Sequence, residues 1–269
     1  MTRLAVAAAA ALAAAPLFAG VRILSEDTDL ATNKTTTDQI LLDTNRIRLD
    51  DGDKGNSVLF LTDGGNNRMV LLDRRKNEYQ EIDEQTMKQL GQQLSGMMAL
   101  MQERLKALPP EQRAKMEQMM KGRMPAAAAG PKIAYDAEGS GTVNGFSCTK
   151  YDKVEGAEKT AELCVAQPAQ INLTAADLQT FEKMKEFSAS LVKSLTGTPF
   201  SGRAQSLGDF GIPFAGIPIQ DVHFENGRAT RRSNLKSVTR TSFSDADFSL
   251  GNAKKMELPE LNLPRGKTR

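Results

Sequence analysis

Gly145-Phe146-Ser147-Cys148-Thr149-Lys150-Tyr151-Asp152-Lys153-Val154-Glu155-Gly156-Ala157-Glu158-Lys159-Thr160-Ala161-Glu162-Leu163-Cys164-Val165-Ala166 contains both cysteines of a 269-residue chain. Residues 143–154 alternate apolar and polar side chains, and residues 159–166 return with Ala161, Leu163 and Val165. The polar turn Glu155-Gly156-Ala157-Glu158 lies between them, so the segment predicts a β-hairpin. Positions 148 and 164 are equidistant from Gly156, and a pairing centred there sets the cysteines opposite one another, as a cross-strand bridge requires. The C-x-x-C spacing that lowers a thiol pKa for redox work is missing. The pair therefore reads as a structural disulfide, which stabilises a fold by about 3 kcal/mol for a loop of this size.

A disulfide implies an oxidising compartment, and the first residues supply an address. Arg3 precedes an uncharged, alanine-rich run from Leu4 to Phe18, broken by Pro16 and followed by Ala19-Gly20. A positive end, a short apolar stretch and a small-residue exit describe a secretory signal peptide at 1–19, cleaved near Ala19. The run is too short to span a bilayer as an anchor. The expectation is a periplasmic protein with no integral membrane span in the mature chain.

Outward from the hairpin, residues 21–30, 39–50, 57–62, 68–73 and 78–82 read as strands, the clearest having Ile47 and Leu49 alternating with Arg46 and Arg48. Asp63-Gly64-Gly65-Asn66-Asn67 punctuates two of them as a hairpin turn. At Asp83 the period changes. Met87, Leu90, Leu94, Met97, Met101, Leu105 and Leu108 fall on one helix face, Pro109-Pro110 stops that helix, and a second runs to about Arg123 with Met116, Met119 and Met120 on one side. Residues 83–124 thus form a helical hairpin inserted between two β regions. After the cysteine hairpin, Thr174 and Asp177 offer an N-cap to a helix using Leu178, Phe181, Met184, Leu191 and Leu195. Residues 219–224 and 228–243 then form a final hairpin around Asn226-Gly227. Residues 20–256 make one domain, and 257–269 a disordered basic tail.

The composition excludes several chemistries. Lys and Arg number 35 against 33 Asp and Glu, a balance unlike that of a nucleic-acid binder. One histidine and two cysteines cannot furnish a His/Cys metal centre, and no nucleophile elbow or phosphate loop is present. No catalytic residue, metal or cofactor is expected, and the protein reads as a non-enzyme. Asp50, Asp51 and Asp53 lack the bidentate glutamate of an EF-hand and read as a turn. His223 reads as structural.

Two patterns remain as candidate binding surfaces. Eight of the twelve methionines lie between Met87 and Met124. Met87, Leu90, Leu94, Met97, Met101, Met116 and Met120 read first as a packing face, second as an adaptable hydrophobic lid, and third as a Cu(I) site. Arg228, Arg232, Lys236 and Arg240 recur every fourth residue and in a regular strand share one face. They read either as contacts for anionic groups or as a solvated face that blunts edge pairing.

The core Gly145-Phe146-Ser147-Cys148-Thr149-Lys150-Tyr151…Cys164-Val165-Ala166, together with Leu108-Pro109-Pro110-Glu111-Gln112-Arg113 before a Met-rich helix, resembles the exported bacterial proteins of the domain of unknown function 4412 family. The resemblance covers most of the mature chain. It implies a half-open β-barrel like those of periplasmic lipoprotein carriers and no established activity. Residues and resemblance agree on an α+β fold, a twisted antiparallel sheet forming an incomplete β-barrel, covered by the inserted helical hairpin and a further helix. Such a shape offers a hydrophobic cavity. The functional expectation is a carrier for a lipid, a lipoprotein acyl chain or another hydrophobic ligand. The alternative is an envelope chaperone or stress-associated interaction protein that grips unfolded envelope proteins with the Met-rich hairpin. The segment Pro110-Glu111-Gln112-Arg113 is loosely similar to a motif of small periplasmic helical chaperones.

Overall fold

The computed structural model describes residues 20–106, 109, 112, 132–195 and 216–256. The expected signal peptide, the second helix with Met116 and Met120, and the basic tail lie outside the described residues, as do the side chains of Leu90, Leu94, Met97 and Met101.

Strands β1 (Gly20–Asp29), β2 (Lys34–Asp43), β3 (Arg46–Asp50), β4 (Asn56–Asp63), β5 (Asn66–Asp73) and β6 (Glu78–Asp83) form an antiparallel meander that runs into α1 (Glu84–Lys106). After it come β7 (Ile133–Val143), β8 (Phe146–Glu155) and β9 (Glu158–Ala166). Helix α2 (Ala175–Leu195), then β10 (Ile217–Glu225), β11 (Arg228–Thr241) and the two-residue β12 (Lys254–Lys255) complete the chain. Among the described residues they make one 12-stranded sheet in the order β12-β6-β5-β4-β3-β2-β1-β11-β10-β9-β8-β7. The end strands do not pair, so the sheet stays open, an α+β half-barrel. Every pairing is antiparallel except that of β12 with β6.

The apolar runs of β4 and β5 do not alternate because both faces of the sheet are buried there. Phe60 and Met69 point into the main core with Val21, Leu42 and Ile47. Leu59 and Val70 point the other way, against Phe243, Phe248, Leu250 and Ala253 of the C-terminal segment. That segment straps the second face. Arg48 donates to the carbonyls of Asp247 and Ser249 at 3.0 and 3.3 Å, and the Arg46 guanidinium lies 4.3 Å from the centre of the Phe248 ring. The strap ends by pairing Lys254 and Lys255 with β6, which covers that sheet edge.

Three expectations need correction. Residues 39–50 are not one strand. The chain turns at Thr44-Asn45, where the Asp43 carboxylate accepts the Thr44 N–H at 2.8 Å and holds the Arg46 guanidinium at 2.7 Å. Residues 143–154 are likewise interrupted, by Asn144 and Gly145 with φ of 49° and 87°, the left-handed pair that a tight hairpin needs. Asn226 and Gly227 make the same turn, as expected, with φ of 51° and 73°. The third correction concerns the cysteines. The turn is centred between Gly156 and Ala157 rather than on Gly156, and a register shift at Lys153/Val154 adds one residue more, which sets Lys150, not Cys148, opposite Cys164. The bridge therefore runs diagonally on one face, with a Cα–Cα distance of 5.5 Å. Gly141 lies opposite Cys148 on β7, where a Cβ would meet the Lys150 side chain at 2.6 Å and crowd the Cys164 sulfur at 3.1 Å.

Candidate functional site: the helix-covered apolar face

Helix α1 packs on β5 and β6, α2 packs on β2 and β3, and the two helices touch. Both start on side-chain caps. Asp83 accepts the Thr86 N–H at 2.7 Å. Thr174 donates its N–H and its hydroxyl to Asp177 at 2.6 Å each, and its hydroxyl accepts the Asp177 N–H at 3.4 Å. This reciprocal box satisfies donors that the helix itself leaves unpaired.

Asp177 has a second task. Arg240 of β11 donates to its two carboxylate oxygens at 2.7 Å each and to the Asn172 carbonyl at 2.9 Å. Burial pushes the Asp177 pKa up, but the bonds from Arg240 and Thr174 outweigh it and hold the carboxyl below its usual range. One turn further, the fully buried Thr180 hydroxyl donates to the Thr44 carbonyl at 2.7 Å and approaches the Asp43 carbonyl at 3.2 Å. Helix α2 is thus tied by its first turns to β11 and to the β2–β3 turn.

Beyond Thr180 the inward positions are Met184, Phe187, Ser188 and Leu191, all buried. Phe187 meets Phe60 with ring centres 5.8 Å apart. Over this part of the sheet the apolar face is therefore occupied by the protein's own side chains. Met87, the one residue of the expected lid whose side chain is described, is buried in the same core. The Ser188 hydroxyl lies in this layer with no hydrogen-bond partner.

The basic row does not form one surface. Arg240 pairs with Val21 of β1 and Arg232 with Thr28. Val21 and Thr28 are an odd number of residues apart on a regular strand, so they point to opposite faces. The cause is a bulge at Lys236, where Leu24 pairs with Ser237 but Ser25 with Leu235. Arg240 is spent on Asp177, Lys236 pairs with Glu26, and Arg228 stands opposite Glu225 beside the Asn226-Gly227 turn. The four do not converge on an anionic ligand.

Residues 51–54 form the expected turn. Asp51 accepts the N–H groups of Asp53 and Lys54 at 2.9 and 2.6 Å. Asp50 is buried and accepts from Ser57, from Gln39 at 2.8 Å and from Arg48 at 2.8 Å. Burial raises its pKa, and these bonds more than compensate, leaving it low. Beside this turn lies a polar cleft of about 390 Å³ whose lining includes Asp27, Asp38, Asp53, Lys34 and Arg231. Arg231 holds Asp27, Lys34 holds Asp53, and Asp38 accepts the Gly52 N–H at 2.9 Å, with burial pushing the Asp38 pKa up. His223 is half-exposed, 3.9 Å from Glu225. Among the described residues no group of His, Cys, Asp and Glu is placed to hold a metal ion, and no helix is long and apolar enough to cross a membrane.

No family model matches the chain, and no curated protein matches it either. Among solved structures it is similar to an uncharacterized conserved protein from Thermus thermophilus, with a TM-score of 0.41, 8% identity and coverage of 89% of this chain and 91% of that one. It is also similar to MucB in complex with MucA(peri), with a TM-score of 0.33 and 11% identity over 92% of this chain. A third similar structure is the Pseudomonas aeruginosa MucA/MucB complex, at 0.34 and 9% over 92%. The chain spans 61% and 62% of the length of those two MucB-containing chains.

Proposed function

We propose that the protein is a non-catalytic binding protein of the cell envelope, whose binding surface is the apolar face beneath α1 and α2. Its ligand is hydrophobic, a lipid or the acyl chain of a lipoprotein. One observation carries the reading: an open sheet whose main apolar face is closed by helices rather than by a second sheet. A cysteine pair at disulfide distance fits an extracytoplasmic protein. Periplasmic export through residues 1–19 and the kinship with the domain of unknown function 4412 family belong to the same proposal. Gentle purification of the exported protein followed by lipid mass spectrometry tests it. Co-purifying lipid in stoichiometric amount is the expected result. Protein that emerges empty and takes up no fluorescent fatty acid overturns the reading.

A second reading is favoured by the filling of the face by Met184, Phe187 and Leu191. In it the layer is permanent and the protein grips unfolded envelope proteins through the Met-rich segment 83–124. Suppression of client aggregation that vanishes when 83–124 is deleted supports this reading; aggregation unchanged by the protein excludes it.

A further inference from the structure

We propose that α2 is a hinged cover over the apolar face, pinned at its N-terminal end by Asp177 and Arg240, and that it lifts at Phe187 and Leu191 to admit ligand. The proposal rests on the carrier reading and names how that site is opened.

The pin is built from several elements at once. Asn172, with φ of 60°, turns the chain from a short 3-10 helix into the approach to α2. Within the next turns Asp177 receives Thr174 and Arg240, Arg240 also reaches the Asn172 carbonyl, and Thr180 bonds to the β2–β3 turn. Asp177 caps the helix and ties it to β11 with the same carboxylate. Lifting of the part beyond Thr180 therefore leaves the cap, the ion pair and the Thr180 bonds made.

The far half of the helix is closed by different forces. Met184, Phe187 and Leu191 contribute non-directional apolar burial, which an acyl chain on the same sheet face replaces without loss. Ser188 opposes closure. The residue is 2% exposed, its hydroxyl is buried and unpartnered, and the hydroxyl regains water when the helix lifts. A buried donor left unmade weakens the state that buries it. The apolar burial keeps the layer closed at rest, and Ser188 weakens it at the position where the ligand would enter.

Hydrogen exchange on the full chain, read by mass spectrometry, tests the hinge without any ligand. Peptides covering 184–193 are expected to exchange faster than 175–181 and faster than β3 and β4. Ser188→Ala removes the unpartnered hydroxyl and slows exchange at 184–193 by about tenfold, with 175–181 unchanged. Glu186→Ala, an exposed position with a comparable gain in helix propensity, slows it by only about twofold. Exchange of all of α2 in one step with β3 and β4 overturns the hinge, as does a Ser188→Ala effect no larger than that of Glu186→Ala. Binding of N-phenyl-1-naphthylamine separates the two proposals. Slower uptake by Ser188→Ala supports the hinge, and an unchanged rate overturns it. A hinge seen by exchange in a protein that never binds the probe refutes the carrier reading alone.

Discussion

The two halves of the sheet are stabilised in different ways. From β2 to β5 it is a middle layer, with α2 and α1 on one face and the strap carrying Phe243 and Phe248 on the other. Phe60, Leu59, Met69 and Val70 are almost wholly buried as a result. From β9 to β7 the sheet runs out to an edge, largely exposed along β7, and a covalent bridge buried in the main core ties β8 to β9. Burial on both faces makes a strand cooperative with everything packed on it. A disulfide acts mainly by restricting the unfolded chain and needs no covering layer. Both halves bury apolar side chains in one core, and the half that ends in the exposed β7 adds a cross-link within it.

The largest effect that breaks this comparison is expected at the centre of the layered half. Phe60→Ala, losing its contact with Phe187, lowers stability by about 3–5 kcal/mol in urea unfolding. Next is the bridge. Reduction of the bridge costs about 3 kcal/mol in the wild type, and replacing Cys148 and Cys164 together by serine costs more, because two hydroxyls are then buried; reductant has no effect on the double variant. The two losses should add, since the sites belong to opposite halves of the sheet; a clear departure from additivity would erase the distinction drawn between them.

A smaller effect tests the tie between helix and sheet. Arg240→Gln leaves the buried Asp177 carboxylate without its cation and costs about 1–2 kcal/mol at neutral pH. The sign with pH follows from the lowered Asp177 pKa. The stabilisation is full above the unfolded value near 3.9 and is lost as pH falls through the folded one. In Arg240→Gln that acid limb shrinks, which stability curves between pH 2 and 6 will show. The smallest effect is expected at Lys236→Ala. This residue pairs with Glu26 in solvent, and its loss changes stability by less than about 0.5 kcal/mol.

Much of this was legible in the chain. Asn226-Gly227 and Gly64-Gly65 announce hairpins because few residues adopt positive φ, and Thr174 with Asp177 announces a helix start through a bond that closes within one turn. Asn144-Gly145 carried the same signal and is hidden only by the apolar residues around it. Other features left no local trace. The bulge at Lys236 does not alter the regular spacing of Arg228, Arg232, Lys236 and Arg240, yet it sends Arg232 and Arg240 to opposite faces. The strap residues Phe243, Phe248 and Leu250 follow no period, because they pack as single knobs on a sheet already formed.

The sequence by itself determined most strands and helices of the described residues, the Gly64-Gly65 and Asn226-Gly227 turns, the Thr174 cap and the pairing of the two cysteines, since each depends on residues close together or on there being no other partner. Only the tertiary structure decided that Arg240 meets Asp177, that Cys148 and Cys164 join across a diagonal, and that Met184, Phe187 and Leu191 fill the face where a cavity was expected. Those outcomes depend on strand register and on layers from distant parts of the chain, and a single shifted residue reverses which face a side chain occupies.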